Sequence, residues 1–206
     1  MNAGLGSLTD LKNFLLAEAL RAGTEYDAAL AIIGQGIAGL MDDFCNRKFG
    51  YAVNDQIIFT GDRPHYYLPR FPINESAAIT VEMRYFLADA WTDITGQPIS
   101  WNPQTGLLHF GYTLGRNPLQ VRCTYTGGYW FDTTEDATGT LPAGATTLPA
   151  SVKLAWLTQC ADLWSKRDNL GLGLAGKPDE RAKLGALELA PLIKTALQPF
   201  VRYQLT

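Results

Sequence analysis

The hydrophobic positions of this chain change their period twice. Between Ser7 and Gly23, Leu8, Leu11, Phe14 and Leu15 recur at helical spacing, with Ser7 and Thr9 ahead of them and Ala22-Gly23 behind. Hydroxyl residues at the start and a glycine at the end predict one short amphipathic helix. Thr24, with Asp27 three residues on, predicts a second N-cap in a weak form of the capping box. Beyond it, Tyr26, Leu30, Ile33, Ile37, Leu40 and Phe44 recur in steps of four and three, while Gln35, Asp42 and Asn46 project from the other side. At about 100° per residue those six side chains share one narrow stripe. Residues 1–50 therefore predict a helical hairpin.

From Tyr51 to Trp130 the period falls to two. Ile79, Val81, Met83 and Tyr85 alternate with Thr80, Glu82 and Arg84, and Leu119, Val121, Cys123 and Tyr125 alternate with Gln120, Arg122 and Thr124. Gln56 to Thr60, His65 to Leu68, Ile99 to Trp101 and Leu107 to Phe110 are shorter candidates, separated by Gly-Asp, Pro and Asn-Pro turn signals. Residues 51–131 predict a small, two-faced antiparallel sheet. Thr133 to Thr147 is polar and rich in Gly, Thr and Ala, an exposed loop that Leu141 and Leu148 are placed to anchor. Helical spacing returns from Leu148-Pro149-Ala150-Ser151, with Val152, Ala155, Trp156, Cys160, Leu163 and Trp164 on one side to about Asp168. Asn169 to Lys177 carries three glycines and is expected to be mobile or to order only against a partner. A last helix is predicted near Glu188, with Pro191 in its first turn, stopping near Pro199. The fold class this predicts is α+β: a bundle of about four helices, from 1–50 and 132–206, around an inserted antiparallel sheet, one compact domain overall.

Composition narrows the function classes. In 206 residues, 47% are hydrophobic and 18% charged, which excludes a disordered chain and leaves fewer charges than globular proteins usually carry. The longest apolar stretch, Ala28 to Met41, holds three Gly and a Gln and is shorter than the roughly 20 residues of a membrane span. Met1 to Leu11 lacks the pattern of a signal peptide, so cytoplasmic synthesis and no membrane partner are expected. Cys45, Cys123 and Cys160 are odd in number and far apart, which argues against a disulfide framework or a metal site. A net charge of -3 with no Lys/Arg cluster argues against a grip on nucleic acid.

One segment reads as a cofactor motif. Gly34-Gln35-Gly36-Ile37-Ala38-Gly39 matches the G-x-G-x-x-G dinucleotide fingerprint, in which glycines admit a pyrophosphate at a helix N-terminus. The fingerprint needs a strand before it, an amphipathic helix after it, then a second strand ending in Asp or Glu. Here Asp42-Asp43 falls where the helix must lie close on a sheet. Tyr51 to Gln56 breaks before forming a buried strand, and the apolar stripe runs through the glycines without a change of phase. Three interior glycines cost a helix about 3 kcal/mol, a cost that close helix packing at Gly34, Gly36 and Gly39 would offset. The packed-helix reading is the stronger, and no cofactor is expected.

Other candidate chemistry is thin. His65 and His109 lie on separate strands with no ligand spacing, and sheet-packing roles suit them better than catalysis or metal binding. Asp42 and Asp43 are adjacent and point about 100° apart on a helix, a solvated edge rather than an acid-base pair. Asn169 to Lys177 lacks the ending of a phosphate loop. The aromatics say more. Tyr66, Tyr67 and Phe71 surround a run of prolines, and Tyr129, Trp130 and Phe131 follow Gly127-Gly128. The plain reading is that they fill the junction of sheet and helices; with so few charges nearby, subunit contacts are a further role.

In order along the chain, five short motifs resemble the head-tail connector family of tailed bacteriophages, also called adaptor or head-completion proteins. They are Cys45-Asn46-Arg47-Lys48-Phe49 at the close of the hairpin, Leu68-Pro69-Arg70-Phe71-Pro72-Ile73 before the strand at Ile79, and Tyr125-Thr126-Gly127-Gly128-Tyr129 at the sheet's close. Leu148-Pro149 with the long helix and Arg167 follows, and Leu197-Gln198-Pro199-Phe200-Val201-Arg202 comes last. The longer strand region and the Thr133 to Thr147 loop depart from the family pattern. The resemblance implies a non-enzymatic virion protein, most often twelve copies in a ring beneath the portal, through which genome DNA passes without specific binding. It implies a lower face for a stopper or tail protein, and a C-terminal segment that engages the portal, here Phe200, Arg202 and Tyr203. A ring protein gives up lateral surface to neighbours, which suits the low charge content. The competing readings are a dinucleotide-binding enzyme and a different neck component, such as a stopper or tail-completion protein.

Overall fold

A computed structural model describes residues 3–60, 63–111, 120–134, 138–166 and 188–202. The fold is α+β, and the chain divides into two compact units: Met1–Arg47 with Phe131–Thr140 and Leu148–Thr206, and Lys48–Trp130 with Leu141–Thr147.

The first unit is helical. Helix α1, Leu8–Leu15, opens on a reciprocal capping box, Ser7 Oγ accepting from Asp10 N and the Asp10 carboxylate accepting from Ser7 N. The single helix expected through Ala22 breaks at Leu16, which turns to an extended conformation and is buried; a separate turn, α2, covers Glu18–Arg21. Every residue around the break is a good helix former, so propensity carries no sign of it. Burial of Leu16 decides it, and Arg21 Nε donates to the freed Leu16 carbonyl at 3.1 Å.

Helix α3 is Asp27–Cys45. Thr24 is not its side-chain cap: Tyr26 occupies that position, Asp27 N donates to the Thr24 carbonyl, and the Asp27 carboxylate pairs with Lys12 at 2.5 Å. The helix ends on Asn46, a left-handed residue of the kind that stops helices. Its buried side is Leu30, Ala31, Ile33, Gly34, Ile37, Met41 and Cys45, whereas Leu40 and Phe44, expected in the stripe, are half-buried. Met41 and Cys45 take their places because apolar residues flank both positions and only the contacting helices choose between them. At 19 residues, α3 exceeds the apolar stretch read from the sequence and is long and apolar enough to cross a membrane. Within this unit it contacts α1, α4 (Ala150–Ser165) and α5 (Pro191–Leu197).

Helix α4 ends three residues before the expected Asp168, and α5 begins at Pro191, where a missing N–H costs nothing. Gln159, buried in the middle of α4, accepts a hydrogen bond from Ala190 N at 2.8 Å and so satisfies the start of α5. A 3-10 turn, Gln198–Phe200, follows α5.

The second unit holds two antiparallel sheets and a short parallel pair, where a single sheet was expected. The four-stranded sheet is ordered β1-β7-β3-β4, from Ala52–Phe59, Gln120–Gly127, Thr80–Arg84 and Thr92–Asp93. The three-stranded sheet is β2-β6-β5, from His65–Tyr67, Leu107–Phe110 and Ile99–Asn102. Tyr129–Trp130 (β8) runs parallel to Thr146–Thr147 (β9), so the end of the expected loop is strand, and Leu141 is exposed rather than an anchor. Period-two alternation marks faces, not partners, and a two- or three-residue strand has too few positions to show a period. One core joins the two larger sheets: Tyr66, Leu68, Val81, Leu108, Phe110, Val121, Cys123 and Tyr125 are buried together.

Candidate functional site

The four-stranded sheet has one apolar and one polar face. Inward, Val81, Met83, Val121 and Cys123 meet the core. Outward, registered pairs form a ladder: Glu82 opposite Arg122, and Arg84 opposite Gln120. Arg122 Nε and Nη2 donate to the Glu82 carboxylate at 2.7 and 2.8 Å, and Arg84 Nε donates to Gln120 Oε1 at 2.9 Å. Both guanidinium groups lie over the Trp91 ring, at 4.5 Å for Arg84 and 4.3 Å for Arg122. Cations over an indole face are favourable, so Trp91 ties the β3–β4 connection to the sheet.

That connection carries the most exposed apolar run in this unit. Tyr85, Phe86 and Leu87 are 52%, 70% and 66% exposed. Alternation through Tyr85 placed its side chain inward with Met83; β3 ends at Arg84, and the turn reverses it. The turn is built, not slack: Phe86 N donates to Asp89 Oδ2, Asp89 N to the Phe86 carbonyl, and Arg84 Nη1 to the Leu87 carbonyl at 2.9 Å. At the other end of the strand order, β1 has no strand on its outer side among the described residues; its Val53 and Ile58 are exposed, Ile58 in register with Arg122.

The aromatics singled out from the sequence separate by burial. Tyr66 is interior: its ring stacks on Phe59 at 4.6 Å and meets Phe110 edge-on, while its hydroxyl donates to the Thr60 carbonyl and accepts from Arg63 N. Phe71 is also buried, so neither offers a side chain to another copy. Tyr67, Tyr129, Trp130 and Phe131 are half-buried, with Tyr129 stacked on Phe49 at 6.3 Å. Alternation along the strands found buried Tyr125 but put exposed Tyr85 inward as well, and Phe86 carried no signal beyond its type.

Gly34, Gly36 and Gly39 lie inside α3, where backbone N–H groups are committed to the helix rather than available to a pyrophosphate. They are not equivalent. A Cβ on Gly34 would come 2.1 Å from the Ala3 carbonyl oxygen and 2.9 Å from Leu11 Cδ1, while one on Gly36 or Gly39 would meet nothing within 4 Å. Close packing within the chain therefore needs a glycine at Gly34 alone. Trp156 Nε1 donates to the Gly34 carbonyl at 2.9 Å, and Gly4, at φ +119, lets the N-terminal segment cross this point.

At the C-terminal end, Arg202 N donates to the Cys45 carbonyl at 2.9 Å. Phe200 and Arg202 are half-buried in the helical unit; Tyr203, Arg167 and Asn169 to Lys177 lie outside the described residues.

Titratable chemistry is sparse. His65 and His109 form a registered cross-strand pair between β2 and β6, a juxtaposition hidden from the sequence, and both are exposed. Among the described residues no group of three or more His, Cys, Asp or Glu side chains is placed to hold a metal. The three cysteines are free and buried, and burial pushes each thiol up to about 12, away from nucleophilic chemistry. A polar recess of about 390 Å³ lies beside α1 and α2, lined in part by Lys12, Arg21 and Asp27. Lys12 is spent there on Asp27 and on the Gly23 carbonyl at 2.8 Å.

The fold is shared with a chain from a particle neck. The chain is similar in structure to a chain from the neck of an empty GTA particle, a phage-like gene transfer agent, computed with C6 symmetry. The likeness covers 97% of this chain and 90% of that one, with a TM-score of 0.55 at 14% sequence identity. No family model matches the chain, and no curated protein matches it.

Proposed function

We propose that this protein is a non-enzymatic component of the neck of a tailed phage or phage-like particle, and within it the head-tail connector. Copies close into a ring, twelve in the family resembled, that docks under the portal, extends the DNA channel and offers a face to a stopper or tail protein. The observation that carries the reading is the fold shared with a neck chain over 97% of the length. The five motifs in family order support it independently, because they come from the sequence alone.

The reading makes the protein's place the virion neck at the portal vertex, after synthesis in the host cytoplasm. A net charge of -3 suits a wall that DNA slides past, since each neutralised phosphate would add affinity. Phe200, Arg202 and Tyr203 are the proposed portal contacts. Phe200 and Arg202 are half-buried in the isolated chain, so docking uses their exposed parts or lifts them away.

A second reading within the same neck is a stopper or tail-completion protein. The six-fold symmetry of the similar neck favours it as much as the connector, because six and twelve copies both satisfy that symmetry. Electron cryomicroscopy of particles, reconstructed at the neck without imposed symmetry, tests both. A ring of this chain against the portal supports the connector; a ring one layer further from the capsid supports the second reading. Absence of the chain from the neck overturns both.

A further inference from the structure

We propose that His65 and His109 form a two-histidine site for a divalent transition ion of the Zn²⁺, Ni²⁺ or Cu²⁺ class, with water in the remaining coordination positions. The site stands whether or not the chain belongs to a particle neck.

The chain has two histidines, and the fold brings both to one place. Ligand spacing along the sequence is absent; strand register supplies it instead, setting His65 of β2 opposite His109 of β6. Opposed pairs in an antiparallel ladder are of two alternating kinds, and the kind that exchanges no hydrogen bonds of its own holds its Cα atoms closer, at about 4.5 Å. The neighbouring bonds identify this pair as the close kind. Phe110 N donates to the Pro64 carbonyl at 2.8 Å, linking the residue after His109 to the residue before His65. Leu68 N donates to the Gly106 carbonyl at 2.8 Å, which puts Tyr67 and Leu107, two positions along, in the same class.

Directly opposed side chains share one face of the sheet, with Cβ atoms about 4.5–5.5 Å apart. Tyr66, Leu108 and Phe110 are buried on the other face, and both imidazoles are exposed. Imidazole nitrogens coordinate such ions at about 2.0–2.1 Å, so rotation about the side-chain bonds brings one nitrogen of each ring to a shared ion without moving the backbone. Among the described residues neither imidazole has a hydrogen-bond or ion-pair partner, so coordination breaks no existing contact. The residue opposite His109 on its other side is Ser100, which carries no charge to repel a cation. Tyr66, stacked on Phe59 and bonded to the Thr60 carbonyl, anchors β2 from beneath. A pair fixed in advance lowers the entropic cost of binding.

The donors choose the class of ion. Imidazole suits Zn²⁺, Ni²⁺ and Cu²⁺, with Cu²⁺ held most tightly, whereas Mg²⁺ and Ca²⁺ take oxygen ligands. The described residues offer no group of three or more His, Cys, Asp or Glu, so the protein supplies two ligands and the ion exchanges with solvent. Unfolding separates the two strands, so the ion binds the folded chain in preference and raises its melting temperature.

The untagged full-length chain, stripped with a chelator, is titrated with NiCl₂ and with ZnCl₂ by calorimetry and by thermal unfolding, with MgCl₂ as control. One ion per monomer and a higher melting temperature are expected with Ni²⁺ and Zn²⁺, and neither with Mg²⁺. His65→Gln and His109→Gln change exposed side chains, so each keeps the metal-free circular dichroism and melting temperature. Each weakens binding at least about tenfold, since even outer-shell changes at metal sites cost that much. Diethyl pyrocarbonate gives a second readout on the wild-type chain, where Zn²⁺ is expected to protect both imidazoles together. Wild-type affinity in either glutamine variant, or protection of one imidazole or neither, overturns the site. So does a metal-dependent dimer sharing one ion, equal binding of Mg²⁺, or no response to Ni²⁺ and Zn²⁺.

Discussion

Replacing Gly34 by alanine tests the tightest contact in the helical unit. The new methyl would lie 2.1 Å from the Ala3 carbonyl oxygen, 2.9 Å from Leu11 Cδ1 and 3.1 Å from Trp156 Cζ2. Leu11 can change rotamer, but a backbone oxygen cannot, so the segment through Ala3 and Gly4 must move as a whole. Overpacking of this kind costs about 1–3 kcal/mol. Displacing Trp156 from the Gly34 carbonyl leaves a buried donor and acceptor apart, about 1–3 kcal/mol more. Alanine's better helix propensity returns about 1 kcal/mol. The balance is a loss of about 1–5 kcal/mol. Gly36→Ala and Gly39→Ala meet no neighbour and keep only the propensity term, so each is expected to gain about 1 kcal/mol. Urea unfolding at low protein concentration, followed by tryptophan fluorescence and far-UV circular dichroism, compares the three variants with wild type. A Gly34→Ala protein as stable as wild type would refute the crossing of the N-terminal segment over α3. A Gly36→Ala protein that lost stability would refute the distinction among the three glycines.

Three further outcomes follow from single contacts. Cys45, Cys123 and Cys160 are fully buried with thiols raised to about 12 by that burial, so a thiol reagent at pH 8 should label none of them in the native chain and all three in denaturant; rapid native labelling would contradict the packing around that cysteine. Burial acts to raise the Asp10 carboxyl, but hydrogen bonds from Lys153 and Ser7 and the Lys153 charge together hold it below its usual 3.8. Its folded value is the lower one, so its contribution to stability is present above the unfolded value and disappears as pH falls through the folded one. Asp10→Asn should flatten that acid limb, and Ser7→Ala should cost about 1 kcal/mol; an unchanged acid limb in Asp10→Asn would exclude the ion pair as its source. Trp91→Ala removes the surface on which Arg84 and Arg122 lie, and should speed hydrogen exchange at the Phe86 amide while leaving the Tyr125 amide slow; equal protection in the variant would mean the clamp does not order the tip.

The connector reading changes how the uncharged composition of this chain is understood. A low share of charges is expected wherever apolar side chains meet water only until a partner covers them. In the β unit the exposed ones include Tyr85 to Leu87 in the β3–β4 turn, Val53 and Ile58 on β1, Trp101 and Leu141. The polar ladder of Glu82, Arg122, Arg84 and Gln120 lies beside Ile58, which is in register with Arg122.

What the sequence by itself determined is what short-range periodicity encodes. The helix start near Ser7, the existence of α3, α4 with its apolar side, the alternation of β3 and β7, Pro191 at the start of α5 and the helix–sheet–helix order were all legible, because each depends on residues within a few positions of one another. Rotation of α3 toward Met41 and Cys45, the break at Leu16 and the division of the strands into two sheets were decided by tertiary structure. So was the difference between Gly34 and its neighbouring glycines: the contact that separates them joins residues 122 apart, Trp156 and Gly34. The outer ladder joins Glu82 to Arg122, 40 residues apart, and His65 to His109 across another pair of strands. Exposure of the β3–β4 tip was the least legible feature, because exposure of Phe86 is not a property of Phe86. It follows from where β3 stops and from the arginines that hold the turn.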